Sequence, residues 1–269
     1  MTLESRVSAN YGSGRTLERI LGLVAAGGGD AGHPTLEALQ QVDSMHLGGW
    51  RATRMLLDGL AIRPGEAVLD IGCGIGAASR MAAAQDGASV QGIDLTPEFV
   101  EVARELTRRS GVAGASFRQG SALDLPFPDG SFDAAMMLHV GMNIARKPAL
   151  FAEVARVLRP GGRFGVYDVM IVGPGEPAYP MPWAGSAGIS FPERPDDYAG
   201  HAEAVGMRET ARASRLAEGL AFLDAVRAAG PGRGLPPDRA ANIEDALRAG
   251  TLAPVEMIFT LGPKDDGHG

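Results

Sequence analysis

Apolar positions along the chain switch between two periods. Short apolar runs at 68–71, 89–93, 115–119, 132–138 and 163–169 read as strands. Between them the spacing becomes helical. Residues 77–85 form one such stretch. Phe99, Ala103 and Leu106 share a face of a helix opened by Pro97, with Thr96 placed to cap it. Leu150, Val154, Val157 and Leu158 share a face of a helix opened by Pro148. Pro160-Gly161-Gly162 stops that helix and leads into the fifth strand, and runs at 208–213 and 255–261 read as a sixth and a seventh. Strands alternating with helices predict an α/β fold with a largely parallel sheet.

The flanks follow other patterns. Residues 1–60 carry only the helical period. Leu17, Ile20, Leu21 and Val24 line a helix ended by Gly27-Gly28-Gly29, a second helix starts at Pro34, and a third runs over 50–60. Two insertions interrupt the alternation after the fifth and sixth strands. Residues 173–195 are rich in proline and glycine and carry Tyr179, Met181, Trp183 and Phe191; residues 215–254 hold two helices, 216–229 and 239–249, around a Pro/Gly turn. Insertions at the carboxyl ends of strands are where loops build substrate sites, so Trp183 is expected as an aromatic wall. Residues 263–269 read as a frayed tail.

The centre of the pattern is Val68-Leu69-Asp70-Ile71-Gly72-Cys73-Gly74-Ile75-Gly76. A glycine-rich turn from strand to helix lets backbone approach a ligand and aims free N–H groups at it. The spacing G-x-G-x-G differs from the dinucleotide pattern G-x-G-x-x-G. Asp70 stands two residues before the first glycine, and Asp94 ends the next apolar run. An acid at that point repels a pyrophosphate and suits a ligand with a positive end. S-adenosylmethionine has an ammonium and a sulfonium at one end and an adenosine diol at the other, and Asp94 would hold the diol.

Composition narrows the field. The chain has 269 residues, enough for one α/β domain with embellishments, and a net charge of −7. That charge gives no basic field for nucleic acid. Cys73 is the only cysteine, so an intrachain disulfide is excluded, and its place suggests a small residue beside the ligand. No apolar run reaches the roughly 18 residues that would span a bilayer, and the first residues lack a signal peptide's apolar core. No membrane partner and a cytoplasmic location are expected.

Beyond the glycine turn, Gly92-Ile93-Asp94-Leu95, Leu123-Asp124-Leu125-Pro126-Phe127, Phe132-Asp133 and Arg156-Val157-Leu158-Arg159-Pro160-Gly161-Gly162 follow in order. This series, covering roughly 61–168, resembles the class I S-adenosylmethionine-dependent methyltransferases, and within them the small-molecule branch of glycine and sarcosine, tocopherol and natural-product methyltransferases. The resemblance implies a seven-stranded Rossmann-like sheet with helices on both faces and an antiparallel seventh strand between the fifth and sixth. It implies a methyltransferase domain over 61–262 and an N-terminal helical lid, 1–60, with Tyr11 and His46 lining the cofactor. It places the cofactor against Asp70, Gly72, Cys73, Gly74, Gly76, Asp94, Leu95 and Leu138, with Ser121 and Ala122 at the adenine. Many members have an acid where this chain has Ser121.

Methyl transfer is an in-line displacement in which positioning supplies most of the acceleration. An acceptor that must lose a proton needs a base, and His139, at the end of the fourth strand, is the best placed; Tyr167 and Asp168, ending the fifth, come second and would face the substrate. No metal is expected: beyond the fourth strand only Asn143 offers an oxygen, where the Mg²⁺-dependent catechol enzymes cluster acids. Leu138-His139-Val140-Gly141 does not match the Pro/aromatic tetrapeptide of enzymes that methylate DNA bases. The expected protein transfers a methyl group to O, N or C of a small molecule, as a monomer or homodimer. Two readings compete: a binder of the same cofactor that rearranges, eliminates or senses, and a nicotinamide dehydrogenase, against which Asp70 and the glycine spacing argue.

Overall fold

The structure, a computed structural model, describes every residue except 1, 10, 13, 45, 230–234 and 264–269. Most of the expected tail lies outside the described residues.

Seven strands form one sheet: β1 (Ala67–Ile71), β2 (Ser89–Asp94), β3 (Ala115–Gln119), β4 (Phe132–Leu138), β5 (Leu158–Ile171), β6 (Met207–Ser214) and β7 (Leu252–Leu261). Their order is β3-β2-β1-β4-β5-β7-β6. Pairings among β1 to β5 are parallel, while β7 runs antiparallel to both β5 and β6. The order reverses between β1 and β4, and a crevice at the carboxyl ends of the strands opens at such a point.

Successive residues of a strand face opposite sides, and the core divides accordingly. Val68, Val90, Ala134, Met136 and Tyr167 pack beneath α4 (Gly49–Leu60) and α5 (Ala77–Asp86). Leu69, Ile71, Ala135, Met137 and Val166 pack beneath α7 (Lys147–Val157) and α8 (Pro195–Glu203). Phe99, Val102 and Leu106 of α6 (Pro97–Ser110) meet α2 (Thr16–Ala26) and α3 (Leu36–Gln40). Helices therefore lie on both faces, as expected. Thr96 holds the N-cap position of α6 without a side-chain cap bond; Asp94 Oδ1 accepts the Thr96 N–H instead, at 2.8 Å. The fifth strand starts earlier than expected: Leu158 pairs with Phe132, the register shifts, and pairing resumes at Ala134 with Arg163. Two helices lay outside the sequence reading, α1 (Leu3–Ala9) and α8.

The two insertions share a small core. Leu223 of α9 (Leu216–Ala228) and Ile243, Ala246 and Leu247 of α10 (Pro237–Arg248) pack with Met181, Trp183 and Ile189. Leu47, Met142 and Val169 complete this cluster. The insertions thus close over the carboxyl end of β5 rather than standing away from it.

Candidate active site

The glycines after β1 serve separate ends. A Cβ on Gly72 would lie 2.3 Å from Val140 Cγ2, across the crevice, and one on Gly76 would lie 2.7 Å from Phe117. Those two positions are glycine because neighbours sit against the backbone. Gly74 has φ +51 with nothing within 4 Å of its would-be Cβ, so this backbone alone faces open space. Its N–H donates to Asp94 Oδ2 at 2.9 Å, fastening the turn to the end of β2. Cys73 is turned the other way: its side chain packs among Val100, Ala103 and Phe117, and burial pushes its thiol up. It is a packing residue, a correction to its expected place beside a ligand.

Two carboxylates face this turn. Asp70 is 2% exposed and accepts from Ser79 Oγ at 2.6 Å. Burial pushes its pKa up to about 7 against that hydrogen bond, and the charge of Asp94 pushes the same way. Asp94 is also raised, again by burial, against bonds from Thr96 and Gly74. Two mutually repelling carboxylates beside a solvent-facing glycine fit a cationic ligand end and disfavour an anionic one. The donor set therefore fits S-adenosylmethionine: Gly74 and Asp70 toward its charged end, Asp94 toward a diol. Leu95, half-buried, follows Asp94, and Leu138, 9% exposed, ends β4.

The ends of β4 and β5 carry a cluster of rings. His139 stacks on Tyr167, with centroids 5.3 Å apart and planes at 16°. His46, from the loop before α4, lies 5.6 Å from His139 and 5.9 Å from Tyr167. His46 Nε2 pairs with Thr53 Oγ1 at 3.0 Å, and burial pushes its pKa down to about 4. His139 is held well below its usual value by burial and by His46, so all three rings are neutral near pH 7. His139 has φ +55, a left-handed conformation that is uncommon for a side chain bearing Cβ. Its N–H donates to Tyr167 O at 2.7 Å, which holds the turn in that shape. His139 Nε2 and Tyr167 Oη are both buried without a hydrogen-bond partner. Buried polar atoms in a folded protein are normally paired; Asp168 Oδ1, on the other face of β5, shares this unpaired state.

Asp168 points to the opposite face from Tyr167. It is fully buried, accepts from Tyr198 Oη at 2.9 Å, and would lie 2.2 Å from a Cβ on Gly141. Burial pushes its pKa up to about 7, opposed by Tyr198 and Lys147. Lys147, also fully buried, donates to Ile144 O at 3.1 Å and to Phe191 O at 2.5 Å. These two buried groups pin the loop after β4, and with it His139, while Asp168 Oδ1 is left without a hydrogen-bond partner. Trp183 is core rather than wall: it is 2% exposed, and its indole N–H donates to Ser190 at 2.9 Å. Together with Met181 and Ile189, the tryptophan supplies the insertion's share of the small core.

The N-terminal segment reaches the same end of the sheet. Tyr11 Oη accepts from Asn143 Nδ2 at 3.0 Å, beside the His139 loop. Ser121 Oγ donates to Glu4 Oε1 at 2.5 Å and accepts from Leu123 N–H at 3.0 Å, with Ala122 partly buried between. The sequence reading missed Glu4, Asn143's pairing, Lys147 and Tyr198. Of these only Lys147, one of two lysines and directly before Pro148, stood out in the sequence.

Comparison with known proteins bears on the domain as a whole. Residues 69–166 match the family model described as methyltransferase domain. The methyltransferase GfsG of Streptomyces halstedii is 35% identical over 133 residues, 49% of this chain and 48% of that protein. The chain thus spans about half the length of that curated relative. Among solved structures, a geranyl diphosphate C-methyltransferase from Streptomyces coelicolor A3(2) superimposes with TM-score 0.69 at 20% identity, covering 79% of this chain and 78% of the other. The cyclase SpnF superimposes with TM-score 0.65 at 22% identity, covering 79% and 81%. Both likenesses are of fold.

Proposed function

We propose that this chain, which carries a methyltransferase domain, transfers a methyl group from S-adenosylmethionine to an O, N or C atom of a small molecule. The observation that carries the reading is the pairing of Gly74 with Asp94 beyond the ends of β1 and β2, together with the unpartnered Nε2 of His139 at the end of β4. When bound, the cofactor supplies a methyl group on a sulfonium, a good leaving group. The Gly74 backbone, Asp70 and Asp94 hold it, and residues 1–60 cover it. Tyr167 stacks on His139 and orients its ring toward the acceptor. His139 Nε2, neutral and unpartnered, takes the proton that an acceptor hydroxyl or amine gives up. The insertions 173–195 and 215–254 exclude water from the acceptor. Asp168 and Lys147 hold the loop on which His139 sits. The protein so read is a cytoplasmic enzyme with a small-molecule substrate.

Calorimetric titration with S-adenosylmethionine, S-adenosylhomocysteine and NAD tests the cofactor, with binding of the first two and not the third expected. Release of one S-adenosylhomocysteine per turnover then separates methyl transfer from the rearrangement or elimination that a fold shared with a cyclase also accommodates.

Two results should follow. Asp94→Ala should weaken S-adenosylhomocysteine binding by about 2 kcal/mol or more, since it removes charge-assisted bonds to a diol and frees the turn at Gly74. An unchanged dissociation constant would remove Asp94 from the site. The second concerns pH. Asp70 takes up its proton at about pH 7 in the free protein. A cationic ligand binds the carboxylate form, so affinity should rise with pH up to about 7 and level off above it, with up to about one proton released per ligand bound below that point. Calorimetry in two buffers of different ionisation enthalpy measures that release, and a pH-independent affinity with no proton release would contradict it.

A further inference from the structure

Glu4 stands out among the charged side chains of this end of the sheet. Among the described residues it pairs with no cation, and its one partner is Ser121, 117 positions away. It is half-buried on α1, and α1 is held in place: Val7 is 7% exposed, and Leu3 packs on the core shared by the insertions. Beyond α1, Tyr11 meets Asn143 and the edge of Phe99, and Glu98 accepts from the N–H groups of Gly14 and Thr16. The segment is thus tied across the carboxyl ends of β2, β3 and β4.

The address of Glu4 follows from register. Asp94 pairs with Gln119 at the ends of β2 and β3, and Ser121 lies two residues farther along. A ligand whose diol rests on Asp94 extends its base toward Ser121. The Ser121 hydroxyl has one proton, and that proton is given to Glu4. The acceptor presented at this end is therefore the Glu4 carboxylate, and a carboxylate recognises a base through an exocyclic amine.

On the reading of the cofactor given above, we infer that Glu4 is a specificity-determining residue: it accepts the adenine amine and so makes closure of the N-terminal segment depend on the base. Ser121 positions the carboxylate.

S-adenosylhomocysteine and S-inosylhomocysteine, in which a carbonyl replaces that amine, separate the outcomes by calorimetry. The full chain should prefer the adenine compound by roughly tenfold to a hundredfold. Glu4→Ala should lose the preference, chiefly through weaker binding of the adenine compound. Glu4→Gln, which keeps a carbonyl acceptor, should retain part of it. If Glu4→Ala weakens both compounds equally, α1 is only a strap and the inference fails; it fails too if neither affinity changes. If the unaltered chain binds neither compound, the cofactor reading fails and takes this one with it. Hydrogen exchange over residues 3–9 adds a readout apart from activity: S-adenosylhomocysteine should slow it in the unaltered chain and not in Glu4→Ala.

Discussion

Asp43→Ala is expected to destabilise the ligand-free protein by about 3–5 kcal/mol, the range seen when one partner of a buried ion pair is removed. Arg80, on α5, is fully buried, and Asp43 is 3% exposed; Arg80 Nη2 donates to Asp43 Oδ2 at 2.8 Å. Nη1 reaches Thr107 Oγ1 at 3.1 Å and Ala103 O at 3.4 Å. Burial raises the Asp43 pKa and the guanidinium beside it lowers it, with burial the larger effect. With Asp43 gone, a guanidinium that cannot lose its proton stays in the core without its counter-ion. Asp43→Ala combined with Arg80→Met should recover much of the loss, because it removes the stranded charge. Urea unfolding of the three variants measures both figures; a loss under about 1 kcal/mol for Asp43→Ala would mean that water or a shifted side chain replaces the carboxylate. The pair has a second consequence, since Asp43 lies on the loop between α3 and α4 that delivers His46 to His139.

His139→Gly is expected to separate activity from stability. Turnover should fall roughly 100- to 10,000-fold, the range for loss of a positioned base. Stability should stay within about 1 kcal/mol of the unaltered protein. Glycine accepts φ +55 without strain, and this relief offsets the lost stacking on Tyr167 and the greater freedom of the unfolded chain. His139→Ala keeps a Cβ at the same backbone angle and should be less stable than the glycine variant by roughly 1 kcal/mol. S-adenosylhomocysteine release and thermal unfolding, measured on both variants, test the two halves. Weakened cofactor binding with unchanged turnover would make His139 part of the cofactor's surroundings instead of a base.

Much of the parallel half was legible because its signals are local. Val68 to Gly76 is a strand, a turn and a helix start written consecutively, and Asp94 follows the next apolar run directly. The place of β7 came only from resemblance; an apolar run at 255–261 says nothing by itself about direction or neighbours. What was not legible depends on which face a residue takes. Tyr167 and Asp168 are adjacent, so one must face α4 and the other α8, and composition does not say which. The pairings of Glu4 with Ser121, Asp43 with Arg80 and Asp168 with Tyr198 join residues 117, 37 and 30 positions apart. No periodic pattern links such positions; only the packed fold brings them together.

The position of β7 between β5 and β6 bears on how the chain is made. Synthesis runs from the amino end, so β5 and β6 leave the ribosome before the strand that separates them. Until Leu252–Leu261 arrives, Phe164, Val166 and Tyr167, all buried in the finished sheet, sit on a strand with one open edge. An open apolar edge is a template for pairing with other chains. The nascent protein is thus most exposed to aggregation just before β7 emerges, and a copy clipped ahead of Leu252 keeps that edge for good, where chaperones and proteases can find it.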